Sequence, residues 1–297
     1  MKDAARIADV DDVKAGGRKA APQQCPAVSI TGGAFSYPGK RVFSGIDIAI
    51  PAGSFTALLG PNGCGKTTLL KCMNGILPLA AGMAELQGRE TRSMTPGKRA
   101  RIAGFVFQEH PAPFAYSVMD LVLMGRGPYL GLFSKPGKSD RGRAERALER
   151  IGIAGLSERL YSTLSGGERQ LALLAKSLVQ DPEILFLDEP TSSLDFGNQV
   201  RILGILRELS RAEGITIVMT THMPEHAMAI SDMIVLLKDG GILGQGEPLD
   251  VVTEENLYAL YGVRARIVRI GSAGPDAYAV VPDRNHGSTR SCTNDEI

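Results

Sequence analysis

Apolar residues are gathered along this chain in short uninterrupted blocks, and the blocks alternate with segments of helical spacing. The run "SFTALLG" (54–60) ends in glycine, and "KTTLLKCMNGIL" (66–77) behind it has the spacing of a helix. "RIAGFVFQ" (101–108), "EILFLDEP" (183–190) and "ITIVMTTH" (215–222) read as further strands, the last two closed by acids or a histidine. "SDRGRAERALERIGI" (139–153) reads as an amphipathic helix with charges three and four residues apart. "DMIVLLKDGGILGQG" (232–246) reads as a hairpin turning at Asp239-Gly240-Gly241. Strands without polar alternation are buried on both faces. Set between helices, they predict an α/β fold around a mostly parallel sheet.

The rhythm breaks between about 109 and 164, where the pattern is mainly helical. That stretch is expected to be a helical subdomain inserted in one domain spanning 28–270. Residues 1–27 are expected to form a mobile arm, and 271–297 a disordered tail in which "AYAVV" could add a short strand. With 297 residues, 43% hydrophobic and 22% charged, the chain can bury a large core. A net charge of +1 gives no reason to expect nucleic acid as the main partner. The first residues carry acids where a secretory signal needs an apolar run, and no window nears a membrane span in length. The cysteines Cys25, Cys64, Cys72 and Cys292 form no CxxC pair and no His/Cys cluster, which fits a reducing, cytoplasmic setting.

One turn carries specific chemistry. "GPNGCGKTT" (60–68) matches G-x-x-x-x-G-K-[ST] and lies between a strand and a helix, where a phosphate loop belongs. Gly60, Gly63 and Gly65 let backbone N–H groups turn inward around a phosphate, and the helix start adds partial positive charge. Lys66 would reach the β- and γ-phosphates, Thr67 would offer its hydroxyl to Mg²⁺, and Thr68 would meet the α-phosphate. Asp188 emerges at the carboxyl end of "ILFLDE" (184–189), where open α/β sheets bind ligands, and suits Mg²⁺ held through water. Glu189 follows. Strand alternation would turn it away from Asp188, so only the strand's end lets both face the phosphates. Alone it reads equally well as a loop cap before Pro190; beside a phosphate loop it reads as the acid that orients or deprotonates a water. His222 closes another apolar strand and could bond the γ-phosphate, although a histidine there, taken alone, is more often a satisfied core group. "HMPEH" (222–226) fits a zinc-protease pattern, but Pro224 suits the first turn of a helix, so His222 and His226 should not share one.

Together these motifs resemble the ATP-binding subunit of ABC transporters over roughly 28–265. "GPNGCGKTT", "VFQE" (106–109), "LSGGERQ" (164–170), "ILFLDEP" (184–190), "TSSLD" (191–195) and "MTTH" (219–222) occur in that family's order. The resemblance implies a P-loop ATPase core with a mostly parallel sheet, an antiparallel β portion and an inserted helical subdomain, with ATP and Mg²⁺ as cofactors. It brings Pro61, Asn62 and Cys64 into the phosphate loop; Cys64 stands where a serine is frequent. It implies that Tyr37 in "FSYPGKRVF" stacks on adenine, that Gln108 contacts Mg²⁺ or water, and that Asp195 works across a dimer interface. In isolation these three read as an ordinary aromatic, an exposed strand end and a turn acid. Ser165, Gly166 and Gly167 resemble the turn that clamps the γ-phosphate of ATP held by a second copy. With no lysine and no metal ligand of its own, that turn is half a site, and the resemblance implies a head-to-tail homodimer.

The interval from 67 to 163 holds no sustained heptads, there is one cassette, and no membrane span is fused to it, which together favour a separate importer subunit. "FAYSVMDLVLMGRGPYLGLFSKPGKSD" (114–140), above all "MGRGPYLG", is similar to subunits that drive uptake of iron–siderophore complexes, haem and cobalamin. Molybdate and other metal-oxyanion importers use similar subunits, and a soluble ABC module that acts as an ATP-gated switch without transport is the alternative from another class. The importers pair two ATPases with two multi-span membrane permease subunits and, indirectly, a substrate-binding protein, so the expected place is the cytoplasmic, inner face of the membrane. Val118, Leu121, Val122, Leu123, Tyr129 and Leu130 read equally as a docking groove or as subdomain core.

Overall fold

Alternation inside the strands, hidden by their continuous apolar spelling, sorts the core into layers. The computed structural model describes residues 25–108, 115–131, 134–270 and 278–283. Its central sheet contains β3 (Phe55–Leu59), β6 (Ala103–Val106), β7 (Ile184–Leu187), β8 (Thr216–Thr221), β9 (Met233–Lys238) and β10 (Gly241–Gly246). The strand order is β10-β9-β3-β8-β7-β6, parallel throughout except where β10 folds back on β9. In β7, Leu185 and Leu187 face one core while Ile184 and Phe186 face another. Period two therefore persists, but both faces are dry.

A second sheet, β2-β1-β4-β5, covers one of those faces. It comprises β1 (Val28–Tyr37), β2 (Lys40–Ile50), β4 (Ala81–Leu86) and β5 (Arg89–Glu90), all antiparallel. Helix α1 (Lys66–Met73) is packed in the same layer. It is shorter than the expected 66–77, because Gly75 takes φ 76° and ends the turn. The strand expected over 101–108 is likewise trimmed: Arg101 and Ile102 close α2 (Pro96–Ile102) before β6 begins.

The opposite face carries the helical layer, made of α3 (Val118–Met124), α4 (Lys138–Arg150), α5 (Gly166–Leu178) and α6 (Phe196–Glu213). Val118, Leu121 and Val122 are buried there, so these three are core and not a docking groove; Leu123 packs against the same cluster, and Tyr129 stays exposed. The "MGRGPYLG" segment is fastened by Arg126. Its Nε pairs with Asp140 at 2.9 Å, its Nη1 donates to Val179 O at 3.2 Å, and its guanidinium lies 4.0 Å from the Tyr129 ring centroid.

The third core joins the far edge of the central sheet to α7 (Pro224–Ile230), α8 (Pro248–Val251) and α9 (Glu254–Tyr261). Of the expected tail, Tyr278–Pro282 forms strand β12, antiparallel to β11 (Ala265–Arg269). Of the expected N-terminal arm, Ala27 is buried and bonded to Ile50. Residues 1–24, 109–114, 132–133, 271–277 and 284–297 lie outside the described residues, Glu109 and Cys292 among them.

Candidate active site

The loop between β3 and α1 is shaped by its glycines. A Cβ on Gly60 would sit 2.3 Å from Leu237 O, and Gly63 and Gly65 take φ 82° and 104°. The loop turns inward and leaves Lys66 almost fully buried, its ammonium donating to Gly60 O at 2.9 Å and Pro61 O at 3.1 Å. Thr67 Oγ1 donates to Asp188 Oδ1 at 2.7 Å. Burial pushes the Cys64 thiol up, against the lowering effect of Lys66 beside it, so it stays a neutral wall of the loop.

The two acids at the end of β7 do face the same loop, and the backbone explains how. Glu189 takes φ 45°, a left-handed conformation uncommon for a residue with a side chain. The turn brings Oε1 within 3.4 Å of Lys66 Nζ and Oε2 within 3.2 Å of His222 Nδ1. Thr220 holds the corner: its hydroxyl donates to Asp188 Oδ1 at 2.9 Å and accepts from Glu189 N at 2.8 Å. His222 lies beyond the end of β8 and ahead of α7, while His226 lies on α7 with Nδ1 3.3 Å from Thr191 Oγ1.

The phosphate loop and Glu189 border a cavity of about 620 Å³, whose lining does not include Asp188 or His222. Pro61 to Thr68 form its floor, Gln108 and Glu189 one wall, and Tyr37, Lys40 and Arg41 the other. Tyr37 is exposed, with its ring edge-to-face on Phe35 at 4.9 Å. Gln108 Nε2 donates to Ser192 Oγ at 3.4 Å. The oxygen donors of Thr67 and Asp188, set side by side, suit a hard cation such as Mg²⁺ and not a soft one.

Ser165, Gly166, Gly167 and Asp195 are not part of this cavity. Ser165 caps α5 in a capping box: its Oγ accepts from Glu168 N at 3.3 Å, and its own N–H donates to Glu168 Oε2 at 2.8 Å. That backbone donor and the Ser165 hydroxyl hold the Glu168 carboxyl below its usual range. Asp195 caps α6 by accepting from Asn198 N at 2.9 Å. The two helix starts are packed together, since a Cβ on Gly167 would lie 2.4 Å from the Asn198 side chain.

Sequence reasoning missed Thr220, Lys40, Arg41 and the cavity's far rim at Asp239 and Gly240. The rim closes because Ser44 N donates to Gly240 O at 3.2 Å, drawing the β9–β10 turn onto β2. The one signal in the chain was the "YPGKR" turn, which sets two cations directly after Tyr37.

Residues 43–192 match the family model for the ABC transporter domain. The chain belongs to the ABC transporter family, as one of its ATP-hydrolysing subunits. This ABC ATPase is 36% identical over 238 residues to the ferric enterobactin transport ATP-binding protein FepC of Escherichia coli, covering 80% of this chain and 88% of FepC. It is also 36% identical over 236 residues to the molybdate import ATP-binding protein MolC of Haemophilus influenzae, covering 79% of this chain and 88% of MolC. Among solved structures, an inward-facing ABC transporter assigned to the metal-chelate type matches with a TM-score of 0.76 and 34% identity, over 86% of this chain and 96% of that one. Among the described residues, no helix of this ABC ATPase is long and apolar enough to cross a membrane.

Proposed function

We propose that this ABC ATPase powers import of a metal chelate, of the iron–siderophore, haem or cobalamin type, through separate membrane subunits. The observation that carries the enzymatic part is Glu189, held between Lys66 and His222 at the mouth of the phosphate loop. The cargo class is supported by the likeness to FepC and to the metal-chelate type transporter. MolC, equally similar, keeps molybdate or another metal oxyanion as the second reading.

In the proposed mechanism the N–H groups of Gly60 to Thr68 cradle the phosphates, and Tyr37 stacks on adenine. Lys66 exchanges its carbonyl partners for phosphate oxygens. Thr67, Asp188 and Gln108 would hold Mg²⁺, which neutralises phosphate charge when bound. Glu189 accepts the proton of the attacking water, and His222 keeps that carboxylate aimed and bonds the γ-phosphate. Ser165, Gly166, Gly167 and Asp195 serve the nucleotide of a second copy in a head-to-tail homodimer. Two multi-span permease subunits are the further partners, and a substrate-binding protein acts through them; nucleic acid has no role. The working position is peripheral, on the cytoplasmic face of the membrane. Residues 28–270, with a helical subdomain inserted at about 109–164, make up the ATP-binding domain.

The test is Glu189→Gln. ATP turnover is expected to fall roughly 10²–10⁴-fold, while the protein runs as an ATP-dependent dimer on size exclusion. Normal turnover in that variant would remove Glu189 from the mechanism.

A further inference from the structure

One exposed hydroxyl joins the segment after β6 to the corner after β7. Ser192 Oγ donates to Glu189 O at 3.1 Å and accepts from Gln108 Nε2 at 3.4 Å. The direction of both bonds follows from the groups involved. A backbone carbonyl only accepts, so the Ser192 proton is spent on Glu189 O. What Ser192 has left for Gln108 is a lone pair, and a lone pair needs a donor. The Gln108 amide has two unlike ends, an NH₂ that donates and an oxygen that accepts. The NH₂ therefore turns to Ser192. Reversed, the amide would set acceptor against acceptor unless Ser192 gave up Glu189. Gln108 lines the nucleotide cavity and Ser192 does not, so Oε1 is the end left free for that cavity.

A hard cation takes oxygen donors, which an amide offers at one end only. We propose that Ser192 is a positioning residue: it sets the Gln108 amide so that Oε1, and not Nε2, is offered to Mg²⁺. The inference rests on the reading of Gln108 as a contact of that ion. The segment that carries Ser192 is fastened without its hydroxyl. Gln199 Nε2 donates to Thr191 O at 3.2 Å and to Leu194 O at 3.1 Å, and Ser192 N donates to Glu189 O at 3.2 Å. Removing the hydroxyl therefore frees the amide and leaves the turn bonded.

The experiment follows free Mn²⁺, a stand-in for Mg²⁺, by EPR, with the full chain in excess over adenylyl imidodiphosphate, which is not hydrolysed. Nucleotide affinity is measured separately in EDTA. Gln108→Ala is expected to weaken Mn²⁺ binding to the complex; wild-type binding there would remove Gln108 from the metal site, and this inference with it. Ser192→Ala is expected to weaken Mn²⁺ roughly tenfold, with nucleotide affinity in EDTA unchanged. Ser192→Thr, which keeps the hydroxyl, should bind Mn²⁺ as the wild type does. In the Gln108→Ala background Ser192→Ala should cost nothing more, because both residues act through one amide. Four results overturn the assignment of Ser192 while leaving Gln108 in place: Mn²⁺ affinity unchanged in Ser192→Ala, an equal loss of nucleotide affinity in EDTA, no recovery in Ser192→Thr, or additive losses in the double variant.

Discussion

Thr220 contributes a single hydroxyl, fully buried, yet it fixes both acids of the site: it donates to Asp188 and accepts from the Glu189 backbone. Thr220→Val keeps the shape and removes both bonds. It leaves Glu189 N without its acceptor and Asp188 with one donor fewer. We expect a loss of about 1–3 kcal/mol in unfolding free energy together with slower ATP turnover. Denaturant melts and a phosphate-release assay would read the two effects, and Thr220→Ser should recover both. Wild-type stability in Thr220→Val would mean the corner is held by the backbone alone. Thr220 also marks the limit of what was legible at this scale. Asp188, Glu189 and Lys66 stand out in the sequence because charges are rare beside apolar strands. A threonine in "MTTH" looks like one more strand residue. Only the register of β7 on β8, with Leu187 opposite Met219, sets it against Asp188.

Among elements, α9 reaches the catalytic end of the sheet by one bond. The Tyr261 hydroxyl donates to His222 O at 3.0 Å, and burial pushes that phenol's pKa up, so its proton is always present. The bond fixes the backbone of the residue whose ring faces Glu189. Tyr261→Phe should therefore lower the hydrolysis rate about 2–10-fold and leave ATP affinity unchanged, a split read from kcat against nucleotide titration. Equal loss of affinity would point to general loosening of α9. This tether was not legible in the sequence, since an aromatic on an amphipathic helix is ordinary core. The β9–β10 hairpin was legible, because Asp239 and Gly240 take φ 47° and 78°, the pair that a two-residue turn needs. The β1–β2 hairpin was not, although its turn sits beside Tyr37. Register shifts between Ile30 and Ser36 break the period-two pattern along β1.

For the whole molecule, the separation of the two glycine-rich turns has a consequence. The phosphate loop borders a cavity, while Ser165 to Gly167 sit on the far-side helical layer, capped but outside that cavity. Next to them Phe196 is 81% exposed and Val200 55%, an apolar patch on the first turns of α6. Under the proposed head-to-tail pairing, each nucleotide needs Lys66 from one copy and Ser165 from the other. Lys66→Ala and Ser165→Asp should then each abolish hydrolysis, the first by removing a phosphate contact and the second by setting a carboxylate against the γ-phosphate. Mixed together, they should regain activity. In the mixed dimer the intact loop of the Ser165 variant meets the intact turn of the Lys66 variant, so one composite site is whole. Hydrolysis by the mixture above the sum of its parts is the expected result. A mixture as inactive as either component, with mixed dimers detected by differential tags, would mean that a single copy carries its own complete site.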